Sequence, residues 1–157
     1  MRRTRARKLL DADMHVYTIG FTRKSAEQFF ELIRSAGARS LTDVRRRPDT
    51  QLSGFAQARD LRYFVPKLAG ITYRHELLLA PSTELLNDYR RYGLAWDDYV
   101  PRYLAELRER RVESVLKPND LDGTILLCSE PTTERCHRRL CLEYLAEHWG
   151  TITRIDL

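Results

Sequence analysis

The sequence predicts an α/β protein, a single-domain three-layer Rossmann-like fold built on a mainly parallel sheet of about five strands. Three observations predict it. Short apolar runs alternate with amphipathic stretches along the whole chain. Those runs are near-continuous in apolar residues, as strands covered on both faces are. The length, 157 residues, suits one domain with a real core.

Val16 to Gly20 (VYTIG) reads as the first strand, closed by its glycine. Ser25 caps a helix over 26–36, in which Phe29, Phe30, Leu32 and Ile33 fit a 3.6-residue period and Gly37 is the stop. Leu41 to Val44 is the second strand, leading into Arg45, Arg46, Arg47 and Pro48. Residues 48–57 form a loop. A helix follows from Asp60 to about residue 69, with Pro66 kinking or breaking it. Ile71 to His75 is the third strand and Leu77 to Pro81 an unusually apolar loop. Ser82 opens a helix to about Tyr92, and a longer one runs from Trp96 to about Leu116 with Pro101 in its early turns. After a turn at Asn119–Gly123, Thr124 to Cys128 is the fourth strand. Pro131 closes it, Thr132 or Thr133 caps a helix over 132–148, and Thr151 to Ile155 is the fifth strand.

The net charge is +5, but residues 1–13 hold five basic residues against two acids and so carry +3 of it, leaving +2 for residues 14–157. The division is therefore a basic disordered tail, 1–13, ahead of one α/β domain, 14–157, with Met14 a plausible alternative start. A whole-domain nucleic-acid footprint would be more basic than this. No apolar run approaches the roughly 20 residues of a membrane helix, and no secretory h-region follows the tail. Three cysteines without framework spacing point to a reduced, cytoplasmic protein with no membrane contact.

In parallel α/β sheets, ligands bind beyond the carboxyl ends of the strands. That edge should present Thr18, Gly20 and Thr22 from the first strand, Asp43 and Arg45 from the second, His75 and Glu76 from the third, and Cys128, Ser129 and Glu130 from the fourth. The stretch LLCSEPTTERCHRRL, 126–140, gathers a thiol, an acid, a histidine and three arginines at one strand-to-helix turn. Arg135, Arg138 and Arg139 crowd a helix start, where the dipole already favours anions, so helix stability does not explain them. A helix N-terminus with guanidinium groups makes an anion site, and Arg138 is its candidate. Cys128 is the candidate thiol, its pKa lowered by arginines; His137 and Glu130 are candidate acid–base groups. Against these stand plainer roles: Cys128 as a buried hydrophobe, Cys136 and Cys141 as core residues on a helix stripe, Asp43 paired with an arginine, and Trp96, Tyr99 and Tyr103 as core. Cys128 and Arg135 are seven residues apart, which misses the six-residue spacing of a phosphatase or sulfurtransferase loop. No metal or other cofactor is expected: the paired C-x-x-C spacing is lacking, and Cys136 and His137 as helix neighbours would point about 100° apart.

The chain resembles the proteins grouped as domain of unknown function 488. The resemblance is carried by TIGFT at 18–22, DVRRRP at 43–48, GITYRHE at 70–76, LLCSEPTTERCHRR at 126–139 and the closing strand at 151–157. APSTELL at 80–86 and the spacing of Trp96, Tyr99 and Tyr103 are similar to one subgroup. The resemblance implies a compact α/β domain in the cytoplasm of a bacterium or archaeon and no established reaction. Where many relatives carry a Leu-Gly-Gly type turn, this chain has Leu77-Leu78-Leu79-Ala80-Pro81.

The function expected is binding of an anionic ligand, a nucleotide or nucleic-acid phosphate, at the carboxyl edge of the sheet. His137, Glu130 and Cys128 are the catalytic candidates, and Thr18, Gly20, Thr22, Asp43, Arg45 and Arg138 the ligand-binding ones. Hydrolase or transferase chemistry on the nucleotide would suit these groups. The alternatives are a non-catalytic nucleic-acid-binding module, using Arg45–Arg47, Arg59, Arg62 and the tail, and a thiol-based redox protein using Cys128 and Cys136. Oligomeric state is not legible.

Overall fold

The structure is a computed structural model that describes residues 13–49 and 54–157. Residues 1–12 of the expected basic tail lie outside the described residues. Five strands, β1 (Met14–Gly20), β2 (Ser40–Asp43), β3 (Thr72–His75), β4 (Thr124–Cys128) and β5 (Ile152–Asp156), form one sheet in the order β3-β2-β4-β1-β5. Every neighbouring pair is parallel. All five carboxyl ends therefore share one edge, which carries Gly20, Asp43, His75, Cys128 and Asp156.

β4 is the middle strand and is buried along its whole length. Its side chains alternate between two cores. Ile125 and Leu127 pack with Ile19, Leu41 and the phenylalanines of α1 (Ala26–Ser35), and with α2 (Ala58–Phe64). Leu126 and Cys128 face the other core, made with α3 (Thr83–Arg91), α4 (Trp96–Glu109) and α7 (His137–Trp149). Two short helices, α5 (Val112–Val115) and α6 (Pro118–Leu121), lead into β4. The sheet with helices on both faces is the fold class the apolar runs predict.

Local chemistry sets the element ends. Ser25 and Gln28 form a reciprocal cap at the start of α1. Pro66 has no N–H to give back, and the chain widens into a π-helical turn over Val65–Ala69 before Gly70 ends it at φ 69°. The long helix expected to Leu116 instead stops at Glu109, because Arg111 takes a left-handed φ of 51° before α5.

The larger departure lies after β4. The helix expected from residue 132 starts at His137, with Cys136 as its N-cap. Neither threonine caps it. Thr133 is buried and its hydroxyl donates to Asp156 Oδ2 at 3.1 Å. Residues 129–136 stay a loop because Arg138 reaches back to hold it, donating Nη2 to the carbonyls of Glu130 (2.8 Å) and Thr132 (3.0 Å). No helix of the described residues is long and apolar enough to cross a membrane.

Candidate functional site

A cleft of about 200 Å³ opens at the carboxyl edge of β2 and β4, under α3 and the first turn of α4. Its lining divides by burial and chemistry. Cys128 and Cys136, both buried, and the half-buried His137 form the floor. Tyr89, Trp96 and Tyr99 form an aromatic wall, with Trp96 and Tyr99 stacked at 5.1 Å and 13°. Arg45, Arg46, Arg47, Arg90, Arg91 and Arg135 surround it, against a single acid, Glu130.

The floor is tightly organised. The Cys128 and Cys136 sulfurs are 2.9 Å apart. This pairing is possible because β4 ends on Cys128 and the loop brings Cys136 back as the helix N-cap. Arg138 donates Nε to the Cys136 sulfur at 3.3 Å. His137 is fixed from behind, its Nε2 being 2.9 Å from the carbonyl oxygen of Val44. A carbonyl only accepts, so Nε2 carries a proton. Nδ1 lies 4.0 Å from the Cys136 sulfur. Tyr103 meets the imidazole edge-on at 5.7 Å and anchors its own hydroxyl on the Leu79 carbonyl at 2.7 Å.

The two thiols differ in acidity. Burial, then the hydrogen bond with Cys136, pushes the Cys128 thiol well up, and the nearby Arg138 charge does not offset this. Burial would also raise Cys136, but hydrogen bonds with Cys128 and His137 and the charges of His137 and Arg138 outweigh it and hold that thiol well below its ordinary value. The expectation that arginines activate Cys128 therefore passes to Cys136, which the helical stripe had assigned to the core.

Asp43 and Arg45 form a buried fork, Nε to Oδ1 at 2.8 Å and Nη2 to Oδ2 at 2.7 Å. Asp43 is thus paired within its own turn, not with the α7 arginines, and does not line the cleft. Arg45 does line it. Its Nη1 is buried and, among the described residues, has no hydrogen-bond partner. The neighbouring Arg46 donates Nε to the Pro81 carbonyl at 2.7 Å, and Arg90 donates Nη2 to Ser129 Oγ at 3.1 Å.

Four of the expected ligand-binding residues shape the loop instead of the cleft. Thr18 donates to Asp156 Oδ1 at 2.5 Å. Gly20 lies against the loop so closely that an added Cβ would fall 1.6 Å from the Glu130 carbonyl oxygen. The backbone N–H of Thr22 donates to the Ser129 carbonyl at 3.3 Å, and its hydroxyl bonds the same oxygen. Arg138 is 1% exposed, and its guanidinium is spent on the loop carbonyls and the Cys136 sulfur. These bonds tie Arg138 to the loop, and it does not line the cleft. At the third strand's end, His75 Nε2 lies 2.6 Å from the Arg45 carbonyl, and Glu76 caps the turn that follows by accepting from Leu78 N–H at 3.1 Å.

Sequence reasoning missed Asp156, Arg90 and Arg91. Asp156 holds both Thr18 and Thr133, a role that follows only from the β1–β5 register, where it sits beside Thr18. Arg90 and Arg91 occupy the last turn of α3, where cations read as ordinary dipole partners. Cys128, Cys136 and His137 present one ligand atom each, all within 4.8 Å of one another. Cys136 precedes the helix, so the 100° divergence expected of two helix neighbours does not arise.

A family model described as Domain of unknown function DUF488 matches residues 25–145. No curated protein and no solved structure matches the chain.

Proposed function

The chain belongs to the family described as Domain of unknown function DUF488, and on that premise we propose that its cleft binds a small anionic ligand, with the phosphate end of a nucleotide as the best fit. One observation carries this reading: six arginines and one acid line a single cleft that has an aromatic wall. Guanidinium groups grip phosphate oxygens bidentately. The α7 N-terminus adds free backbone N–H groups, since Cys136 makes no side-chain cap bond. Trp96, backed by the buried Tyr99 on which it stacks, offers a base a flat face. At about 200 Å³ the cleft is below the roughly 300 Å³ where drug-sized pockets begin, so it takes a small ligand or the end of a larger one. Hydrolase or transferase chemistry on that ligand would fall to the floor, where His137 and the two sulfurs are the reactive groups and Glu130 lies alongside. Three free thiols suit a reducing compartment, and we place the protein in the cytoplasm.

The test is thermal unfolding with a panel of nucleoside mono- and triphosphates and with orthophosphate. A ligand at a hundred times its Kd stabilises by about 2.7 kcal/mol, which is roughly 5–10 °C for a domain of this size. The wild type should show such a rise with at least one nucleotide, and the exposed double variant Arg90→Gln/Arg91→Gln should lose most of it. No rise with any member of the panel would remove the reading.

A second reading, thiol-based redox exchange, is favoured by the 2.9 Å separation of the Cys128 and Cys136 sulfurs. In it the two thiols give two electrons and two protons to a disulfide acceptor and join as a disulfide. Intact mass after exposure to oxidised glutathione tests it, through a reversible loss of two hydrogens.

A further inference from the structure

The floor of the cleft holds more than an anion site needs. Arginines alone would attract a phosphate, yet beneath them lie two sulfurs and an oriented imidazole. We propose that Cys128, Cys136 and His137 form a three-ligand site for a thiolate-seeking divalent cation of the zinc class, with its fourth position open to the cleft.

Three independent features point there. The Cys128 Sγ, the Cys136 Sγ and a His137 ring nitrogen lie within 4.8 Å of one another. Two thiolates and one histidine with an open position form a known kind of zinc ligand set. His137 is also arranged as a metal-binding histidine is. Its Nε2–H is committed to the Val44 carbonyl at 2.9 Å, which leaves Nδ1, on the sulfur side at 4.0 Å from Cys136 Sγ, as the ring atom that would take a metal. Finally, the Cys136 sulfur has its own outer support, the Arg138 Nε at 3.3 Å, and Arg138 is held in turn by the Glu130 and Thr132 carbonyls.

The sulfur separation alone does not choose between a metal and a disulfide. Tetrahedral zinc holds its sulfurs about 3.8 Å apart at a Zn–S distance of about 2.3 Å, and a disulfide about 2.05 Å. The observed 2.9 Å lies about midway. The histidine chooses. A disulfide joins only the two sulfurs, whereas a metal also takes up the anchored imidazole beside them and so uses all three atoms. Charge agrees, since two thiolates and a neutral imidazole neutralise a dication. Binding would release the remaining thiol protons to solvent. The fourth position would then face the arginine-lined space, where a water or an anionic oxygen can take it. The inference concerns the floor only and stands whether or not an anion binds above it.

The test uses the full chain, reduced and stripped with a chelator, titrated with cobalt(II) alone. One equivalent should produce the thiolate-to-cobalt charge-transfer absorption and the intense visible bands of a tetrahedral site, and zinc should bleach them. Cys128→Ser and Cys136→Ser should each lose at least half of the charge-transfer intensity. Cys141→Ser should keep all of it. His137→Gln should weaken binding by at least tenfold, the lower end of what site perturbations in metalloproteins cost. Because Cys128 is a core residue and its variant can fail to fold, the wild type is also mapped by mass spectrometry after brief alkylation with and without one equivalent of zinc. Zinc should shield Cys136. A wild type without the charge-transfer band at one equivalent overturns the proposal, whatever the variants do. So does a band that persists unchanged in Cys136→Ser, or a Cys136 that zinc leaves as reactive as before.

Discussion

Arg45 holds Asp43 in a two-bond fork, Nε to Oδ1 at 2.8 Å and Nη2 to Oδ2 at 2.7 Å, with both side chains buried. The Arg45 backbone N–H and the Tyr73 hydroxyl give the same carboxylate two further bonds, at 3.1 and 2.6 Å. The pair sets the direction in which the chain leaves β2 for the cleft. Asp43→Asn keeps the size and removes the charge, leaving a buried guanidinium uncompensated. It should cost about 3–5 kcal/mol in urea unfolding. A loss below about 1 kcal/mol would show that the pair contributes little to the fold.

Gly20→Ala should be among the most damaging single-methyl changes in the chain. The added carbon would meet backbone, the Glu130 carbonyl oxygen at 1.6 Å and its carbon at 2.6 Å, and backbone cannot swing aside as a side-chain tip can. Either the 129–136 loop moves or β1 does. The expected cost is about 1–3 kcal/mol or more, together with loss of the Cys128–Cys136 proximity. A variant of wild-type stability with unchanged thiol reactivity would contradict this packing.

The thiols should separate by reactivity in chelator-treated protein. Cys136 is held as thiolate by Cys128, His137 and Arg138 against the effect of its burial, whereas burial keeps Cys128 and Cys141 protonated. Brief iodoacetamide treatment should label Cys136 first, at a rate nearly independent of pH between about 7 and 9. An ordinary thiol with a pKa of about 8.5 would speed up across that window. First labelling at Cys128 or Cys141, or a rate at Cys136 that climbs with pH, would contradict the assignment.

Cys141 gives a stability prediction with a definite sign. Burial pushes its thiol up to about 12 in the folded chain, while an unfolded thiol ionises near 8.5. Between those values the unfolded state releases a proton that the native state keeps, so stability falls as pH rises. The contribution is complete below about pH 8.5 and is lost towards about pH 12. The stability difference between wild type and Cys141→Ala, measured by urea unfolding, should shift in the variant's favour as pH rises from about 8 to about 10.5. A constant difference would show that Cys141 is not protonated by burial.

How far these features can be read from sequence depends on the range of the interaction. β4 is legible to the residue because Ile125–Cys128 is an unbroken apolar run behind the β-branched Thr124. Ser25 and Ser82 cap their helices as expected because each serine and the backbone N–H that it accepts from are three residues apart. Thr132 and Thr133 look the same in sequence and do not cap. The Thr133 hydroxyl goes to Asp156, 23 residues away, and Arg138 takes the Thr132 carbonyl that a helix capped there would have used. That one error moves Cys136 from a helix stripe to the floor of the cleft. It also ties Arg138 to the loop through the Glu130 and Thr132 carbonyls. Within the site, the residues at strand ends are legible and their partners are not, because β5 reaches the edge only through its register with β1.

A nucleotide bound in the cleft as proposed would lie with its base against Trp96. The chain has two tryptophans, and only one of them lines that cleft. The other, Trp149, donates its indole N–H to the Glu113 carbonyl at 3.1 Å. A nitrogen–proton correlation spectrum therefore carries a reporter and an internal control, assigned with Trp96→Phe. On titration with a nucleoside monophosphate that raises the melting temperature, the Trp96 indole signal should move saturably, at the same Kd as the stabilisation, and return as salt is added. The Trp149 signal should stay in place. A Trp96 signal that does not move, or a Trp149 signal that moves with it, would rule out a nucleotide site in this cleft.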